Sequence, residues 1–373
     1  MKPFVKWPGG KKDEYKLISQ YFPDRIDKYV EPFIGGGAIY LAISDCKKYY
    51  INDKSDELIY MYEYIKTSDK EFFRKLEEIF YNWRLVEKII DNHQIELTKK
   101  YLEFSQDKIS DIDWANFILN FVLKNRDEFN GILESWFNID IKHFIDEVSR
   151  TVIQKTNRMK KIEKQNGKLK NEDIVKNLET ALKSAYYTHF RYLYNNYDKY
   201  NISNEFRIAL FYFIREYCYS SMFRYNKSGK FNVPYGGISY NRKDIESKIV
   251  TMKNQELISR LDKTMICSLD FEEFLNRIDL QNNDFIFLDP PYDSEFSTYS
   301  NNKFDRLDQK RLVDFLKTTK AKFMIVIKNT EYIWSLYQNN NFFIKPFDKK
   351  YLVSFQNRND KDVEHLIITN YKI

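Results

Sequence analysis

The run Phe285-Ile286-Phe287-Leu288 is an apolar stretch of strand length that is cut off at once by Asp289-Pro290-Pro291-Tyr292. Two successive prolines cannot continue a ladder, so a buried strand must end there and present a carboxylate, stiff carbonyls and an aromatic ring at its carboxyl end. Open α/β sheets place ligands at the carboxyl ends of their strands, and this junction fits that plan. The same four residues would also serve simply as a strand-ending turn, so the rest of the chain has to decide between the two.

A second strand-to-loop junction lies near the start. Tyr29-Val30 leads into Glu31-Pro32-Phe33-Ile34-Gly35-Gly36-Gly37-Ala38 and then into an apolar segment, Ile39 to Ile43, expected to be helical. Strand, glycine loop and helix is the arrangement that receives a nucleotide-like ligand, although the full dinucleotide glycine pattern is missing and a glycine loop also serves turn geometry alone. Tyr49 to Asp53 follows as a strand ending in an acid, the place from which a doubly wound sheet grips ribose hydroxyls. With no pyrophosphate fingerprint, an adenosine carrying an amino acid suits this pair better than a dinucleotide. Upstream, Phe4 to Lys11 forms a turn-rich opening to a helix over 13–21.

From Asp56 to Asn204 apolar residues recur at helical spacing, as at Leu58, Met61, Tyr62 and Ile65 and again at Ile174, Leu178, Leu182 and Ala185, while glycine and proline almost vanish. A helical insertion is expected, broken by an exposed polar loop at Lys155–Lys170, where lysines meet either solvent or a DNA backbone. Its many tyrosines read as core. Arg207 to Tyr219 reads as an aromatic helix. Phe223 to Gly236, with the turn Asn226-Lys227-Ser228-Gly229 between aromatic arms, reads as a β-hairpin whose basic residues would enter a groove. Beyond it the pattern predicts a strand from Thr264 ending at Asp270, a helix at Asp308–Thr319, a strand at Phe323–Ile327 and a closing antiparallel pair, Tyr351–Phe355 with His365–Tyr371. The segmentation is therefore 1–60 (catalytic, first part), 61–204 (helical insertion), 205–245 (recognition helix and hairpin) and 246–373 (catalytic, second part).

Composition narrows the function classes. Three cysteines and four histidines are scattered without metal-type spacing, which points to a reducing compartment and no metal site. The opening Met1-Lys2-Pro3-Phe4 carries no apolar leader, and no run is long enough to span a bilayer, so a cytoplasmic location without membrane attachment is expected. A net charge of +6 favours a polyanionic partner only weakly, because 31% of residues are charged.

The motif order resembles that of the Dam-type (D12 class, group α) DNA adenine-N6 methyltransferases: Phe4-Val5-Lys6-Trp7-Pro8-Gly9-Gly10-Lys11, then Glu31 to Gly37, then a recognition segment, then Asp289 to Tyr292. The resemblance covers about residues 1–60 and 205–373. It implies a Rossmann-like α/β fold, S-adenosyl-L-methionine as cofactor, double-stranded DNA as substrate and room for a cognate restriction endonuclease as partner. Position by position, it implies that Trp7, Lys11, Phe33, Gly35 and Gly37 line the cofactor, that Asp53 takes its ribose, and that Asp270 and Phe271 meet its adenine. Asp289, between cofactor and substrate, would act with Pro290 and Tyr292 in catalysis, and Lys6, Arg224 and Pro234 would contact bases. The chemistry agrees: the adenine amino nitrogen has its lone pair delocalised into the ring, and two fixed acceptors for its hydrogens, the Asp289 carboxylate and the Pro290 carbonyl, would free it to attack a methyl group. Ser220 stands where close GATC-reading members have Asn, and Ile238 where they have Tyr, which speaks against a GATC site and leaves the insertion to read a longer or asymmetric one. A methyltransferase acting on RNA adenine or protein glutamine, or a DNA-binding protein without catalysis, are the alternatives.

Overall fold

The computed structural model describes residues 1–43, 46–125, 128, 139–222, 224–291, 304–350 and 362–373, with backbone only at 349–350 and 362–363. Tyr292, Phe223 and the expected strand Tyr351–Phe355 lie outside these residues. The chain forms two compact units: Met1–Asp69 with Phe223–Gly229 and Val250–Ile373, and Lys70–Met222 with Lys230–Ile249.

The first unit is built on a seven-stranded sheet in the order β3-β2-β1-β4-β5-β7-β6: β1 (Lys28–Glu31), β2 (Lys48–Asn52), β3 (Thr264–Cys267), β4 (Phe285–Leu288), β5 (Lys322–Lys328), β6 (Phe343–Lys350) and β7 (Asp362–Thr369). The pairs β1–β2, β1–β4, β2–β3 and β4–β5 are parallel, whereas β7 runs antiparallel to both β5 and β6. This is the doubly wound order 3-2-1-4-5-6 with one reversed strand inserted before the last. The strand order reverses between the parallel strands β1 and β4, so the crevice of the sheet opens at their carboxyl ends.

β4 is buried along its whole length because both of its faces are covered. On one face, Phe285 and Phe287 lie 5.2 and 6.2 Å, ring to ring, from Phe22, which stands just past the short helix Tyr15–Ile18 and its 3₁₀ turn. On the other, Ile286 and Leu288 join Leu312, Val313 and Leu316 of helix Arg306–Thr318 and Phe274 and Leu275 of helix Phe271–Asn276. A capping box between Asp305 and Asp308 starts the longer of these helices.

Four expectations change. The segment Ile39–Ile43 makes helical turns, with Leu41 N–H donating to Gly37 (2.9 Å) and Ile43 N–H to Ile39 (2.8 Å), but no regular helix. The strand expected to reach Asp270 stops at Cys267, because the next backbone donor, Leu269 N–H, turns to the Asn52 side chain at 2.8 Å and leaves the ladder. The closing pair is Phe343–Lys350 with Asp362–Thr369, and helix Glu331–Tyr337 precedes it.

The fourth change falls in the second unit, whose described residues include helices Lys70–Ser105, Asp111–Lys124, Ile141–Asn166, Asn171–Tyr194 and Asn204–Tyr217 and the segment Lys230–Ile249. Residues 155–166, read as loop, are the last turns of helix Ile141–Asn166, and only 167–170 connect it to the next helix. Val148, Val152, Thr156 and Met159 keep a buried stripe through this stretch, and lysine, glutamate and glutamine are good helix formers, so its polarity marks a solvated face and not a break. Gly167 ends the helix at φ +89. The tyrosines are indeed core: Tyr186, Tyr187 and Tyr217 are buried around Trp83 and Phe213, and Tyr212 is buried against Phe80.

Candidate active site at the carboxyl ends of the central strands

β1 delivers Glu31 and the glycine loop, β2 delivers Asn52 and Asp53, the turn after β3 delivers Asp270, and β4 delivers Asp289. Three of these ends are tied by one buried side chain. Asn52 donates to the carbonyls of Pro32 (3.1 Å) and Leu269 (3.0 Å) and accepts from Leu269 N–H (2.8 Å), so the glycine loop and the β3 turn cannot move independently. Ser268 adds a hydroxyl bond to the Asp53 carbonyl at 3.1 Å.

The loop itself needs two of its glycines. Gly35 and Gly37 have φ of +47 and +65, and a methyl group at Gly35 would lie 2.7 Å from Trp7 Cδ1. A methyl group at Gly37 would strike the Tyr62 hydroxyl. Trp7 is thus pressed against the loop, and Tyr62, from helix Asp56–Lys66, backs it from below with a 3.4 Å bond to the Gly35 carbonyl.

Asp53 clasps the same loop: one carboxylate oxygen accepts Gly35 N–H and the other Ser55 N–H, both at 3.0 Å. Burial raises its carboxyl to about 6, and the backbone N–H donors only partly oppose that rise. Glu31 is more deeply enclosed. Burial holds its carboxyl well above the usual range, the nearby charge of Asp289 adds to this, and the Tyr29 hydroxyl, 2.7 Å away, works against it.

Asp289 receives a hydrogen bond and ion pair from Lys11, a side chain only 1% exposed, which also donates to the Gly9 carbonyl at 3.0 Å. A buried ammonium from the amino-terminal turn therefore orients the carboxylate at the end of β4. Pro290 is buried behind it, and the Pro291 carbonyl accepts from Gln309 Nε2 at 3.1 Å, which pins the start of the proline segment to helix Arg306–Thr318.

Beside these groups Phe33, Phe271 and Phe304 form a ring cluster with centroids 5.4 to 5.6 Å apart. Arg311 lies over Phe271 at 4.9 Å and binds Asp270 at 2.6 Å, Glu272 at 2.7 Å and Asp308 at 2.8 Å. Asp270 also caps helix Phe271–Asn276 by accepting from Glu272 N–H. Partial burial would raise the Asp270 carboxyl, but Arg311 outweighs it and holds the group below its ordinary value. Glu31, Asn52, Tyr62, Phe304 and Arg311 were given no role from sequence. Glu31 stood inside a recognised motif and was visible there, whereas the others act through partners distant in the chain.

The predicted base contacts are placed separately. Lys6 is half-buried next to Trp7, and Arg224 is exposed. The expected hairpin is a turn without a ladder: Gly229 N–H donates to Asn226 at 3.0 Å, Asn226 Oδ1 accepts from Ser228 N–H at 3.0 Å, and residues 224–236 contain isolated bridge positions but no strand. Pro234 belongs to the other unit, where it is exposed and its carbonyl accepts Tyr219 N–H at 2.8 Å. In that unit Ser220 and Ser221 both hold left-handed backbone, with φ of 51 and 53, an uncommon strain that clusters at functional segments.

The sequence model of the D12 class N6 adenine-specific DNA methyltransferases matches residues 7–171 and 140–353. The Type II methyltransferase M.CviBI of Paramecium bursaria Chlorella virus NC1A is 26% identical over 377 residues, covering all of both chains. The Type II methyltransferase M.MjaIII of Methanocaldococcus jannaschii is 26% identical over 391 residues, all of this chain and 99% of the relative. The Retron Ec67 DNA adenine methylase of Escherichia coli is 34% identical over 153 residues, which is 39% of this chain and 51% of the relative.

Proposed function

Because the chain belongs to the D12 class of N6 adenine-specific DNA methyltransferases, we propose that it methylates an adenine swung out of a DNA duplex, with the carboxyl ends of β1 to β4 as the active site. The observation that carries this assignment of residues is the convergence of the glycine loop, Asp53, Asp270 and Asp289 on the adjacent carboxyl ends of the parallel strands β3, β2, β1 and β4, with Asp289 held by Lys11. S-adenosylmethionine, when bound, supplies an electrophilic methyl group.

The residues present suit that cofactor. A loop whose glycines leave no room for side chains admits close backbone approach, Asp53 keeps lone pairs for ribose hydroxyls, and Phe33 and Phe271 offer apolar ring faces beside Asp270 for a purine. Trp7 and Lys11 close the amino-acid end. On the substrate side, Asp289 and the Pro290 carbonyl accept the two amino hydrogens, and the ion pair with Lys11 fixes the carboxylate in advance of the reaction, which is where electrostatic catalysis gains most. Tyr292 stacks on the extruded base and offsets part of the unstacking cost of about a few kcal/mol. Direct transfer would form the nitrogen–carbon bond as the sulfonium sulfur–carbon bond breaks, the held amino nitrogen would give up a proton, and no covalent enzyme intermediate would be needed. Lys6, Arg224 and Pro234 serve as base contacts. The relatives named Type II methyltransferases support a setting in restriction–modification, phage or DNA marking, with a cognate endonuclease as partner.

The test is transfer of labelled methyl groups from S-adenosylmethionine to duplex DNA, structured RNA and glutamine-containing peptide in parallel, followed by base-modification sequencing of DNA from expressing cells. Label confined to duplex DNA at adenine, in one sequence context, is expected. Label in RNA or peptide and not in DNA would reverse the assignment.

A further inference from the structure

Helix Ile141–Asn166 packs along Asn171–Tyr194 within the helical unit, and a cleft of about 540 Å³ opens between them. Three cations line it, Arg150, Lys155 and Arg158, facing the short polar side chains Asn177, Ser184 and Thr188 of the second helix. Arg150 is answered by Glu147 at 2.5 Å. Lys155 and Arg158 form no ion pair with any of the described residues. Lys155 is half-buried, and its enclosure together with the adjacent guanidinium of Arg158 pushes the ammonium below its ordinary value. Arg158 itself is exposed, so the pair is only partly desolvated, yet two like charges side by side without an ion pair among the described residues favour a state in which an anion approaches them.

The shape of the recess says which anion. Amide and hydroxyl side chains supply donors of the kind that phosphate oxygens accept, and Lys155 and Arg158 stand about 4.5 Å apart along a helix at about 1.5 Å per residue. A separation of that order suits neighbouring phosphates of one strand, about 3.4 Å apart along the duplex axis. We propose that this cleft is a phosphate clamp for the backbone of DNA, independent of base sequence, with Lys155 and Arg158 each neutralising one phosphate. The proposal rests on the reading of DNA as substrate and extends it to residues of the helical unit, whereas the catalytic motifs belong to the other unit.

The experiment uses the full chain with Lys155→Gln and Arg158→Gln combined, and measures affinity for a duplex carrying the methylation site and for a scrambled duplex across a range of salt concentrations. The slope of log affinity against log salt should fall by about two, since each phosphate neutralised contributes about 0.9. Both duplexes should weaken by the same factor. Affinity for S-adenosylmethionine should be unchanged, and the thermal midpoint should not fall, because a repulsion has been removed. Lys155→Arg with Arg158→Lys should restore the slope. A folded double variant with the wild-type slope overturns the proposal. So does loss of inorganic pyrophosphate binding with DNA affinity intact, which would make the recess a small-anion pocket. Failure of the wider reading would look different: the wild-type protein itself would neither bind nor methylate duplex DNA.

Discussion

Replacing Lys11 and Asp289 singly and together tests how the carboxylate at the heart of the site is held. The lysine side chain is 1% exposed and the aspartate side chain 19%, so the two substitutions should not cost the same. Asp289→Asn removes the charge that answers a buried ammonium and leaves it neutral acceptors such as the Gly9 carbonyl, and a buried charge stripped of its counter-charge costs about 3 to 5 kcal/mol. Lys11→Met keeps the apolar stem and leaves a carboxylate that still reaches water, so a loss nearer about 2 kcal/mol is expected, in the range of a charge-assisted hydrogen bond. Were the residues independent, the double variant would lose about 5 to 7 kcal/mol; removing both charges together should instead cost no more than about 3, a coupling of at least 2 kcal/mol. Urea unfolding of the four proteins without cofactor measures this directly. If the double variant loses the sum of the single losses to within about 0.5 kcal/mol, the pair does not hold the site together and the reasoning fails. By the same physics, Asp289→Ala would disturb the site as well as remove an acceptor for the amino hydrogens. With Lys11 in place it strands a charge, so the chemistry is best isolated in the Lys11→Met background.

Asp53 should give two pH trends of opposite sign. Its carboxyl is raised to about 6 by burial, so its contribution to folding stability is full below its unfolded value of 3.8 and is lost as pH rises through about 6. Affinity for S-adenosylmethionine should run the other way, weakening about fivefold as pH falls from 7.5 to 5 and the charged acceptor becomes neutral, a difference of about 1 kcal/mol per hydrogen bond. Calorimetry on wild type and Asp53→Asn checks this: the variant should bind more weakly at pH 7.5 and show little pH dependence. Gly35→Ala should raise the cofactor dissociation constant by about tenfold or more, since it combines a left-handed backbone, at about 1 to 3 kcal/mol, with displacement of the Trp7 ring; wild-type affinity would show that the loop does not set that ring. Arg224→Ala should relax discrimination at one base position, by about 1 to 3 kcal/mol if the arginine reads a guanine bidentately. A methylation profile over single-base site variants decides it, and an equal loss at every site would make Arg224 a backbone contact.

What could be read from sequence was whatever is settled within a few residues. A proline pair ends a strand whatever surrounds it, glycines permit left-handed turns, and an acid directly after an apolar run falls at a strand end, so β1, β2, β4 and β5 and the residues at their carboxyl ends were legible. The order of motifs along the chain also carried the family, because order survives where pairing cannot be seen. Tertiary structure decided the rest. Whether 155–166 is loop or helix depended on a buried stripe packing against Asn171–Tyr194, and the composition of the exposed face pointed the wrong way. The reversed position of β7 between β5 and β6, the reach of Asn52 to Leu269 and the pairing of Lys11 with Asp289, 278 residues apart, all follow from strand order. Each is a contact whose loop-closure entropy is repaid only when several parallel crossovers pack at once, and no local pattern records that cooperative choice.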